Sequence, residues 1–96
     1  MKISYYAILQ YDNDGICVSF PDFPPCLTCA DDDSGAMKMA AEALELYLHG
    51  LCISDLPLAT PKNAIMLSGH QKVVKIAVEL ENRNGRLYSP YVIDCR

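Results

Sequence analysis

DDDSGAMKMAAEALELYLHGL, residues 31–51, decides the fold. From 34 to 49 the polar residues Lys38, Glu42, Glu45 and His49 recur at i, i+4, i+7 and i+11. Met37, Ala40, Ala41, Leu44, Tyr47 and Leu48 fill the opposite stripe. This is the spacing of an amphipathic helix of about four turns with one side to bury. Asp33 is expected to cap its first free N–H groups, with Asp31 and Asp32 favouring the positive end of the helix dipole. Gly50 is placed to end the helix in the left-handed conformation, with Leu51 folding back towards Leu46. His49 reads as a cation at the negative end of the dipole. Such a helix needs an apolar surface to lie on, and the flanking sequence supplies one.

Upstream, residues 2–11 alternate, with Ile3, Tyr5, Ala7, Leu9 and Tyr11 on one face. Asp12-Asn13-Asp14-Gly15 is a turn, and residues 16–20 alternate again, which predicts an antiparallel hairpin. Pro21, Pro24 and Pro25 lack the N–H that sheet pairing needs, so 21–25 reads as a rigid loop and 26–30 as a short third strand. Downstream, 52–71 is a connector containing Pro57 and Pro61. Residues 73–80 form a strand with Val74, Ile76, Val78 and Leu80 on one face. Asn84-Gly85 marks a tight hairpin, and 86–94 reads as a returning edge strand because Pro90 is tolerable only at an edge. The expected fold is α+β, an antiparallel sheet carrying one main helix in the order β-β-β-α-β plus an edge strand. The expected core packs the helix stripe on Ile3, Tyr5, Leu9, Val18, Ile76 and Val78.

The 96 residues suffice for one domain, and 1–96 is expected to be a single one. No apolar run reaches the length of a membrane span, and the N-terminus lacks the pattern of a signal peptide, so a cytoplasmic protein is expected. The net charge is −4 and the pI about 4.9, which argues against a nucleic-acid binder working by bulk charge. Charge is uneven along the chain. Residues 1–58 hold two basic residues against nine acidic ones, −7, and residues 59–96 hold six against three, +3. An acidic body fits a basic partner, and it also keeps a protein soluble.

Five cysteines without a secretory signal point to reduced thiols. Cys26-x2-Cys29 followed by His49-x2-Cys52 has the residue types of a structural zinc site. Cys26 and Cys29 are three apart on a strand, however, so they point to opposite faces, and no metal or other cofactor is expected. Neither His49 nor His70 has a readable nucleophile partner. Asp12, Asp14, Asp22 and Asp31 are carboxylates a nuclease site could use, but Asp12 and Asp14 are explained by their turn, so no nuclease site is expected.

The stretch VSFPDFPPCLT (18–28), the acidic run Asp31 to Asp33 and the Ala41-Glu42-Ala43-Leu44 segment with Tyr47-Leu48 together resemble the HicB-like antitoxin family. Tyr5-Tyr6-Ala7-Ile8, Asp14-Gly15 and the PLATP segment (57–61) extend the resemblance over about residues 3–80. Pro25 stands where the family carries glycine. The resemblance implies a partial ribonuclease-H-like domain without that enzyme's activity. It implies binding to a small basic ribonuclease toxin, whose active surface the antitoxin covers. Many members add a C-terminal DNA-binding segment, but residues 81–96 show no helical periodicity, so neither a separate DNA-binding domain nor direct nucleic-acid binding is expected. The expected partner-binding residues are Asp22, Asp31, Asp32, Asp33, Glu42 and Glu45. Homo-oligomerisation is expected as well, and the alternative function is a self-associating domain with no toxin partner.

Overall fold

The computed structural model describes residues 1–90. β1 (Lys2–Asp12) and β2 (Gly15–Phe20) form the predicted hairpin, closed by Asp12 opposite Gly15. β3 (Phe23–Ala30) continues the meander, and α1 (Asp33–Leu48) follows. Two 3₁₀ turns, Ile53–Asp55 and Lys62–Ala64, punctuate the connector to β4 (Gln71–Glu79). The main sheet has the order β3-β2-β1-β4, with every neighbouring pair antiparallel. β4 pairs along almost the whole of β1, from Lys2 opposite Glu79 to Gln10 opposite Gln71. α1 lies on one face of this sheet, which gives the predicted α+β two-layer architecture.

Alternation along the strands decides which side chains meet the helix. Ile3, Tyr5, Ala7 and Leu9, then Ile16, Val18 and Phe20, then Ile76 and Val78 are all buried. The helix answers with Ala36, Ala40, Leu44 and Leu48, a row at strict i, i+4 spacing. Two alanines at the start of this row let the helix backbone come close to the sheet.

The predicted stripe is therefore displaced. Met37 and Tyr47 are 41% and 39% exposed, and Ala36 holds the buried position. Tyr47 lies over the outer strand β3, where the sheet ends, so its ring meets Phe23 on one side and solvent on the other. Ala41 is only partly buried against the core.

Four local readings also change. The chain reverses at Pro21-Asp22 and β3 begins at Phe23, so the predicted loop is mostly strand. Pro24 and Pro25 fit there because β3 is an edge strand and a register shift lies between Ser19 and Phe20. Phe23 is thereby buried, stacked edge-on against Tyr5 with ring centroids 4.6 Å apart. The helix cap is Asp32, whose Oδ1 accepts the Gly35 N–H at 2.6 Å, while Asp33 is already helical. Leu51 packs against the core rather than on Leu46, which faces solvent.

The fourth change concerns the end of the chain. β5 (Glu81–Arg83) and β6 (Arg86–Tyr88) form a two-stranded sheet of their own and do not widen the main one. Asn84 and Gly85 have φ of 54° and 84°, as a tight Asn-Gly hairpin requires. This hairpin closes the C-terminal end of α1. Gly50, at φ 84°, donates its N–H to Leu87 O, Leu87 N–H donates to Leu51 O, and Ile53 N–H donates to Gly85 O. Leu87 of this hairpin and Leu80 just before it are buried. The predicted 86–94 strand thus stops at Tyr88: Ser89 and Pro90 are not strand, and 91–94 lie outside the described residues.

Candidate partner-binding surface

The six predicted acidic residues occupy three places. Asp31, Asp32 and Asp33 lie at the junction of β3 and α1, and all are exposed. Antiparallel pairing puts the β1–β2 turn beside them, since Ile16 is opposite Ala30. Asp12 and Asp14 of that turn line the same surface recesses as Asp31 to Asp33. One end of the molecule thus presents five carboxylates. Turn chemistry alone explained Asp12 and Asp14 in the sequence; only the strand register shows that they share a surface with the helix start.

Some of these groups also hold the fold. Asp32 caps the helix. Asp33 accepts a hydrogen bond from the Tyr11 hydroxyl at 2.5 Å, which raises the Tyr11 pKa because ionisation would set two negative charges together. Asp31 is the acidic residue of this run with no structural bond shown.

Asp22 lies at the β2–β3 turn, the opposite end of β2. It accepts the Thr60 hydroxyl at 2.6 Å and the Thr60 N–H at 3.1 Å, so it latches the connector to the sheet. Nearby, the Tyr5 hydroxyl donates to Pro57 O at 2.6 Å. Burial, with a smaller contribution from the charge of Asp22, raises the Tyr5 pKa.

Glu42 and Glu45 lie three turns along the helix from Asp33. Glu42 is exposed, whereas Glu45 accepts the Ser89 hydroxyl at 3.0 Å. His49 beside it accepts the Ser89 N–H at Nδ1, 3.0 Å away. This contact ties the end of α1 to the residue that follows β6.

An apolar feature went unread in the sequence. Pro25, Cys26 and Leu27 of β3 and Ala43, Leu46 and Tyr47 of α1 line a shallow groove on the outer flank of the sandwich. Leu27 and Leu46 are 66% and 64% exposed, far more than large aliphatic side chains usually are. Glu42 is one helical turn from Leu46 and so borders this groove. The signal was available only in part, since Leu46 falls outside the buried row, but nothing local placed Leu27 beside it.

Cys26 is buried and Cys29 exposed on the other face of β3, so they diverge, as their spacing predicted. Among the described residues no group of three or more His, Cys, Asp or Glu is arranged to hold a metal ion. No helix among them is long and apolar enough to cross a membrane.

The strand–turn–strand–strand–helix frame with this acidic helix start can be compared with known proteins. The family described as HicB_like antitoxin of bacterial toxin-antitoxin system matches residues 5–83. The chain belongs to the HicB-like antitoxin family. A further relative is an uncharacterized 14.9 kDa protein of Haemophilus phage HP1, from its rep–hol intergenic region, 37% identical over 59 residues. That match covers 59% of this chain and 44% of the phage protein, so this HicB-like chain spans under half of that relative's length. Among solved structures it is similar to a chain of a toxin–antitoxin complex from Streptococcus pneumoniae, with a TM-score of 0.71 at 23% identity. The likeness covers 82% of this chain and 70% of that one, and shows a shared fold.

Proposed function

We propose that this chain works by binding and not by catalysis: it docks on a small basic ribonuclease toxin in the cytoplasm and masks the toxin's active surface. Membership of the antitoxin family carries this reading. The surface supports it. A ribonuclease binds phosphates, so the surface to be masked is basic, and this chain offers Asp12, Asp14, Asp31, Asp32 and Asp33 at one end and Glu42 on the helix. The groove around Leu27, Leu46 and Tyr47 supplies what charge does not, an apolar anchor with Glu42 at its border. Charge then sets association rate and selectivity, and the apolar contact sets residence time. The test uses the cognate toxin, with binding kinetics followed at several salt concentrations. Leu46→Asp should accelerate dissociation at least tenfold. Replacing Asp14, Asp31 and Glu42 with amides should slow association and flatten its salt dependence. Unchanged kinetics in both variants would refute this surface.

One observation favours a second reading, self-association. β4 has no strand on its outer side among the described residues, and its nine residues form an open edge to which another strand can add. Light scattering across a concentration series, on the chain alone, separates a monomer from a dimer.

A further inference from the structure

Cys17 of β2 and Cys29 of β3 stand directly opposite each other. Both thiols are free and both residues exposed, on the sheet face that α1 leaves uncovered. The strand bonding fixes what kind of pair this is. Tyr11 N–H donates to His70 O, on the β4 side of β1. Backbone polar groups point to alternate sides along a strand, so those of Gln10 point towards β2. Gln10 is opposite Cys17, which makes that a hydrogen-bonded pair and turns the N–H and C=O of Cys17 towards β1. Between β2 and β3, Cys17 and Cys29 are therefore a non-hydrogen-bonded pair, the type whose side chains come closest. Pairs of this type hold their Cα atoms about 4.5 Å apart, inside the range of about 4.4–6.8 Å that a disulfide spans. The recess beside them, between Asp14 and Asp31, opens to solvent.

We propose that Cys17 and Cys29 form a reversible dithiol site that takes low-molecular-weight disulfides and becomes a β2–β3 cross-strand disulfide. One cysteine thiolate attacks the S–S bond of the small disulfide, forms a mixed disulfide and releases one small thiol. The other cysteine thiolate attacks the protein sulfur of that mixed disulfide and expels the second small thiol. The protein loses two hydrogens and gains one S–S bond; the small disulfide is reduced to two thiols. The other described cysteines are placed differently. Cys26 is buried on the far side of β3, and Cys52 lies beyond the helix. Closing the bond staples the edge strand that forms one wall of the apolar groove. The site does not depend on any partner.

The experiment incubates the full folded chain with oxidised glutathione, blocks remaining thiols with N-ethylmaleimide and digests with a protease that cuts before aspartate. Residues 14–21 then carry Cys17, and residues 22–30 carry Cys26 and Cys29. The expected product is these two peptides joined and two hydrogens lighter than their sum in Cys26→Ser, and the same joined pair carrying one N-ethylmaleimide on Cys26 in the unmodified chain. The joined product should be absent in Cys29→Ser and reversed by dithiothreitol. Stable glutathione adducts without the joined peptides, no change in either peptide, or joining that persists in Cys29→Ser would each overturn the proposal.

Discussion

Burial assigns unequal weights to residues that look alike in sequence. Leu44 is fully buried at the centre of the helix row, and truncating it removes contacts that nothing refills. Leu44→Ala should cost about 2–5 kcal/mol in denaturant melts. Met37→Ala, at a residue 41% exposed, should cost less than about 1 kcal/mol. Equal losses in the two variants would put the helix face back where the sequence suggested. Three weak acids tie stability to alkaline pH. The Cys26 pKa is raised from 9.0 by burial, and those of Tyr5 and Tyr11 are raised from 10.0. Each group holds its proton more tightly folded than unfolded, so its contribution is complete below the unfolded value and is lost as pH rises through the folded one. The denaturation midpoint should hold level to about pH 9 and fall beyond it, more shallowly in Tyr5→Phe. A rising or flat midpoint between pH 9 and 11 would contradict this.

At the scale of elements, the helix and strands β1, β2 and β4 were legible because each repeats a period: 3.6 along 34–49 and two along 2–11, 16–20 and 73–80. β3 was legible only in its second half. Pro24 and Pro25 read as a barrier because proline removes a donor, yet an edge strand leaves one side unpaired and can hold them. The exposed groove was hidden for a related reason, since it joins β3 to α1 across a sequence gap that no periodicity bridges. The Asn84-Gly85 turn was read correctly, but its docking on the end of α1 depends on backbone bonds from Gly50, Leu51 and Ile53 that sequence does not announce. Gly85→Ala forces an L side chain to φ 84° and should destabilise the protein by about 1–2 kcal/mol. Hydrogen exchange should then speed first at the Gly50, Leu87 and Ile53 amides. Loss of protection confined to β1 and β4 would contradict the docking.

For the whole molecule, the acidic candidates in the sequence resolve into groups with different tasks. Asp22 latches the connector and Asp32 caps the helix, so their replacement mixes folding effects into any binding measurement. Asp22→Ala removes an acceptor for the Thr60 hydroxyl and N–H and should cost about 1.5–3 kcal/mol. Asp14, Asp31 and Glu42 are exposed and show no structural bond, so they report on charge alone. Three consecutive aspartates were legible as a helix start, but their union with Asp12 and Asp14 required the strand register. The proposed role of this acidic, groove-bearing surface is to silence a basic ribonuclease toxin by covering it. RNA cleavage by the purified cognate toxin, measured with increasing amounts of this chain, tests it most directly. Cleavage should fall in step with added chain and vanish at equimolar amounts, and Leu46→Asp should require a large excess to do the same; undiminished cleavage at a tenfold excess of the unmodified chain would contradict the claim.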